Sequence, residues 1–158
     1  MANILYHNFF AEVMKGNVDL DSASTVIRVL LERSTSTYTP NRDHDFLDDF
    51  TTGGGVELSV ASYSRKTVAN KAVNTDNTND RIEWDFDDIS FGALESGQTI
   101  DALIFYVQTG GDDTTPGNDI LIAYIDTVSG SPALPILTNG GTISFTVNAE
   151  GFIQSLQG

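Results

Sequence analysis

Residues that could carry chemistry are few in this chain, and they are scattered. The densest group is Arg42-Asp43-His44-Asp45, with Asp48 and Asp49 close behind. On a helix, His44 and Asp48 stand four apart and share a face, offering a metal one imidazole and one carboxylate. A zinc site needs three or four converging ligands, and the sequence names no distant partner for this pair. The same carboxylates serve as the solvated face of a short helix, where near its N-terminus they favour the dipole. A second acidic group, Asp112, Asp113, Asn118 and Asp119, has calcium-type ligands without the order of an EF-hand loop or its distal glutamate. A hairpin loop is the simpler reading. Glu83, Asp85 and Asp87 alternate along one strand, and same-face neighbours there lie about 6.5–7 Å apart, which overlaps the spacing of paired glycosidase carboxylates. With 22 acidic residues such pairs arise by chance. The two histidines, His7 and His44, sit in no nucleophile-elbow or triad-like motif. Gly53-Gly54-Gly55 precedes a strand and has no lysine in phosphate-loop spacing, so it reads as a turn. No catalytic residue, cofactor site or metal site is nominated.

The elements that would position these residues follow from periodicity. Tyr6, Phe9, Phe10, Val13 and Met14 repeat at the spacing of one helical face, with Asn3 as a possible cap and Gly16 as the terminating glycine. A second short helix is expected near 43–50, with Phe46, Leu47 and Phe50 on one side and Asn41 or Asp43 as its cap. The rest reads as strand. Ile27, Val29 and Leu31 alternate within 25–32, and Val56, Leu58 and Val60 do so after the triple glycine. Ile82, Trp84 and Phe86 oppose Glu83, Asp85 and Asp87 within 81–87. Residues 99–108 and 120–126 are apolar on both faces and should be central strands. Ile143, Phe145 and Val147 alternate within 142–148. Turn formers cluster at 74–80, 110–118, 129–135 and 139–141. The prediction is a mainly β chain: one domain over 1–158, a β-sandwich or small β-barrel, with 1–16 as an N-terminal helical segment.

Composition narrows the function classes. At 158 residues with 40% apolar content, the chain suits one domain with a substantial core. There is no cysteine, which excludes disulfides, thiolate metal sites and a cysteine nucleophile. The net charge is −14, which disfavours direct contact with nucleic acid or an anionic membrane. The longest apolar runs are six residues, 102–107 and 120–125, far below the roughly 20 of a membrane span. No Lys or Arg precedes Lys15, so the basic region of a secretory signal is missing and a soluble protein is expected. The charge is uneven. Residues 1–81 hold all 8 basic and 11 of the acidic residues, whereas 82–158 hold 11 acidic residues and no Lys or Arg. Such an acidic half serves solubility, or it steers docking to a basic partner.

Several stretches resemble small virion proteins of tailed bacteriophages. The short aromatic helix 6–16 ending in Lys15-Gly16, the Leu-rich strand at 25–32, and the stretch 38–50, with Tyr38-Thr39-Pro40-Asn41, Asp43-His44-Asp45 and an aspartate-flanked aromatic pair, carry the likeness over residues 1–50. Residues 67–77, 82–88, 102–107 and 121–126 extend it loosely, and the stretch 130–139 departs from it. The resemblance implies a capsid decoration (cement) or accessory structural role. It implies a non-enzymatic protein on the exterior of the virion, assembled in the host cytoplasm and binding the major capsid protein lattice. It further implies a small homo-oligomer, a trimer if it caps threefold joints. A tail-associated or receptor-binding β-sandwich module is the alternative. The partner-binding candidates are the aromatic anchors Tyr6, Phe9 and Phe10 and the acidic residues Asp43, Asp45, Asp48 and Asp49.

Overall fold

The computed structural model describes residues 3–128 and 133–156. Its elements run β1 (Ile4–Leu5), α1 (His7–Met14), β2 (Val26–Arg33), α2 (Leu47–Thr52), β3 (Lys66–Thr67), β4 (Ala72–Asp76), β5 (Arg81–Asp85), β6 (Ile89–Ala93), β7 (Thr99–Gln108), β8 (Ile120–Ile125), β9 (Ile136–Leu137), β10 (Thr142–Phe145) and β11 (Ile153–Leu156). The chain is mainly β, with two short helices, as its periodicity predicts.

β7 organises the molecule. It is apolar at consecutive positions, so both its faces need covering. Leu103, Phe105 and Val107 join Ile27, Val29 and Leu31 of β2 in one core, while Ala102, Ile104 and Tyr106 join Leu30, Leu121 and Tyr124 in another. The sheet that carries them has the order β1-β8-β7-β2-β3, with β9 also paired to β7, and every pairing is antiparallel. A register shift at Phe105/Tyr106 adds a residue to the ladder, which lets Leu121 and Tyr124, three apart, share a face.

Two smaller sheets, β11-β5-β4 and β10-β6, pack on the first face. They contribute Trp84, Phe91 and Phe145, Phe86 just past β5 joins them, and α1 adds Phe9. Phe105 meets Phe152 at 4.6 Å and Phe86 at 5.9 Å between ring centroids. The second face is closed by α2 and its preceding loop through Tyr38, Leu47 and Phe50, with Tyr6 beside them. The strands at the two ends of the large sheet do not pair with each other. It is an open sheet in a sandwich-like packing, not a closed barrel.

Local expectations were met unevenly. α1 stops where Gly16 takes a φ of +76°, as the terminating glycine predicts. Asn3 does not cap that helix; its side-chain oxygen accepts from the backbone N–H groups of Asp126 and Thr127. The second helix starts at Leu47, later than predicted, and neither Asn41 nor Asp43 caps it. Asp49 does so from inside, accepting from the N–H groups of Asp45 and Phe46. Val56–Val60 is not a regular strand. It touches β2 through an isolated bridge between Glu57 and Glu32, and in the turn before it a Cβ on Gly55 would fall 2.3 Å from the Phe50 ring. Part of the predicted 129–135 break, residues 129–132, lies outside the described residues.

Candidate partner-binding surface

The helix chosen as an anchor faces its own domain. Tyr6 is 0% and Phe9 1% exposed, so neither can meet a partner. This corrects the expectation for both. Their burial follows from the sheet: Tyr6 N–H donates to Ile122 O beside β1, and its ring enters the second core while Phe9 enters the first. The Tyr6 and Tyr38 hydroxyls lie 3.0 Å apart, and the Tyr38 hydroxyl lies 2.7 Å from His44 Nδ1. Burial pushes the Tyr38 hydroxyl up to about 12. His44 is thus turned toward tyrosine instead of pairing with Asp48. Phe10 alone of the three aromatics keeps an open edge, against Phe9 at 5.3 Å.

The four aspartates divide. Asp43 is exposed and bonds His7 Nδ1 at 3.1 Å. Asp49 is used as the cap of α2. Asp45 is exposed and Asp48 half-buried, and their backbone groups tie the helix to Leu121 and Pro116. Among the described residues no three His, Asp or Glu side chains converge as a metal site.

The other acidic groups singled out by sequence are taken up by neighbours. Asp113 accepts from Arg28 at 3.1 Å, Tyr106 at 2.6 Å and Gln108 at 2.7 Å, with Arg65 3.3 Å away. Burial raises its carboxyl, but the Tyr106 bond and the two guanidinium charges outweigh that and hold it below the usual range. Arg65 also grips Glu57 through two nitrogens and lies over the Tyr106 ring. Asp112 caps the turn at Thr114. Asp119 is fully buried; one oxygen accepts from Thr109 N–H, and burial raises its carboxyl. Glu83 pairs with Arg81 at 2.6 Å and Asp87 accepts from Asn70, so the alternating trio does not converge.

What remains open is an apolar groove of about 520 Å³ between the end of α1, the 16–21 loop and the β11-β5-β4 sheet. Val13, Val18, Leu20, Val73, Ile82 and Trp84 line it. Register explains the alignment: Val73 and Ile153 both pair with Trp84 across the sheet, so all three point to one face, with Ile82 two residues along. α1 covers Trp84 but reaches no further, leaving Val73 42% and Ile82 49% exposed. Sequence alternation correctly placed Ile82 on the face of Trp84. It could not show that the covering helix is too short.

A second cleft, about 410 Å³, opens between β7 and the small sheets, where Phe105, Phe145 and Phe152 meet Asn148 and Gln154. Compared with models of known families, with curated proteins and with solved structures, the chain matches none.

Proposed function

We propose that this chain is a non-enzymatic virion structural protein, a capsid decoration (cement) protein that binds the major capsid protein lattice from outside. The observation that carries the reading is the pairing of a doubly covered, stiff sheet with one exposed apolar groove. A cement protein must add contact energy without deforming, and large exposed apolar side chains in a concavity supply it. Charge supports the same role. Arg28, Arg65 and Arg81 are all engaged in internal ion pairs and are not free to offset the net charge of −14, which suits docking on a basic partner. The resemblance of residues 1–50 to small tailed-phage virion proteins points the same way, and a homo-oligomer at the lattice joints fits such a role.

A tail-associated or receptor-binding module is the second reading. The cleft at Phe152, Asn148 and Gln154 favours it, because a half-buried aromatic ring beside amides suits a sugar. Co-sedimentation with emptied, expanded shells separates the two. Saturable binding at a simple ratio to the capsid protein supports decoration. Binding to host cells with none to shells supports the module.

A further inference from the structure

The groove beside Trp84 has acidic ends. At one end stand Asp19 and Asp21, both lining it and both exposed. They crowd each other, and the carboxyl of Asp21 is held above its usual range by a side-chain bond to Asp19 and by that residue's charge. Lys71 lies near Asp19, but its ammonium group is bound to the backbone carbonyls of Ser22 and Thr25. At the other end Ile82 and Ser155 also border a notch containing Asp76 and Asp80. Arg81 sits there too, shared among Asp76, Glu83 and Glu150. The floor is apolar, and the Trp84 indole N–H within it has no hydrogen-bond partner.

We propose that this groove receives a segment of a partner protein that presents an apolar side chain beside a lysine or arginine. The apolar side chain covers Val73 and Ile82, which α1 leaves open, and the cation meets Asp19 and Asp21. The charge pattern decides against a second copy of this chain. Two copies joined by a twofold axis through this face would set Asp19 and Asp21 of each against the acidic notch at Asp80 of the other, or against each other near the axis, and like charges across an interface are costly. A cation instead meets two exposed carboxylates, close together in sequence, that line the groove. The inference names the contact chemistry for the decoration role proposed above and rests on that reading only for the identity of the partner.

The test uses the single tryptophan as its reporter. The full chain, labelled with 15N, is titrated with the peptide acetyl-Gly-Leu-Lys-Leu-Lys-Gly-amide and, separately, with the same peptide carrying glutamate for lysine. The expected result is that the Trp84 indole signal and the amides of Val18, Val73, Ile82 and Ile153 shift with the lysine peptide. The glutamate peptide binds about tenfold more weakly or worse, as loss of two screened pairs and gain of repulsion require. Asp19→Asn with Asp21→Asn removes the discrimination, and Ile82→Asp removes the binding. Ile82 is half exposed, so this variant should fold, and an unchanged amide spectrum away from the groove verifies it. Val73→Asp provides the same test at a second position. Shifts outside the groove, or equal binding of the two peptides, overturn the proposal. Shell co-sedimentation judges the two ideas apart. If the native chain binds shells and Ile82→Asp binds them equally, the groove is wrong and decoration stands; if the native chain binds no shells, decoration is wrong and the peptides still decide the groove.

Discussion

The hydroxyl of Tyr124 donates to Glu32 Oε2 at 2.6 Å in the interior, 92 residues apart in the chain. Glu32 is 2% exposed, and its other oxygen accepts from Ser36. Burial raises its carboxyl; the Ser36 and Tyr124 bonds pull it down, while the charges of Asp101 and Asp126 push it up, and the net shift is upward. A carboxyl with a folded pKa above its unfolded value binds more protons in the native state. Its contribution is therefore complete below the unfolded value near 4.5 and is lost as pH rises through the folded value. The thermal midpoint of the native chain relative to Glu32→Gln should fall between pH 4 and pH 7, read by scanning calorimetry. A rising difference would contradict the assignment.

Both faces of β7 should be equally intolerant of truncation. Phe105→Ala on the aromatic face should cost about 3–5 kcal/mol, and Ile104→Ala on the tyrosine face about 2–5 kcal/mol, measured by urea unfolding. A cost below about 1 kcal/mol at Ile104 would mean that α2 and its loop do not cover that face.

Asp113 should behave as a fastener. Asp113→Asn removes the carboxylate paired with Arg28 and leaves Arg65 with Glu57 alone, and should cost about 1–3 kcal/mol, against about 0.5 kcal/mol for Asp112→Asn in the same loop. Millimolar calcium should leave the thermal midpoint unmoved, because the oxygens of Asp113 are already bound to arginine, tyrosine and glutamine. A calcium-dependent rise would show that the loop holds an ion after all.

Gly16 isolates a backbone effect. Its φ is +76° and a Cβ there would meet nothing within 4 Å, so Gly16→Ala is penalised only by conformation. The expected loss is about 1–2 kcal/mol, with Asn tolerated better than Ala. Equal stability of the glycine and alanine forms would mean that α1 ends elsewhere.

Where pattern and burial coincide, the fold is readable directly. β7 and β8 are continuous apolar runs because they are covered on both sides, and β2 alternates where one flank meets polar loops. Short strands are less legible. β6 and β11 have Ser, Gly and Gln in them, and only their partners make them strands. The candidate site shows the same limit. Tyr6 and Phe9 have the residue types of an interface anchor, and only the nearby sheets reveal that they are core. Ile82 looks like core by alternation and is left open, with Val73 beside it, because α1 ends at Met14.

Copy number in the particle tests the central claim most directly. Mass spectrometry of purified virions would count this chain against the major capsid protein, using a protease that cuts at acidic or aromatic residues. Trypsin is unsuitable because no Lys or Arg follows Arg81. Decoration predicts a ratio of about one, or a simple fraction such as about one third, as a symmetric lattice requires. A handful of copies per particle, or none, would contradict it.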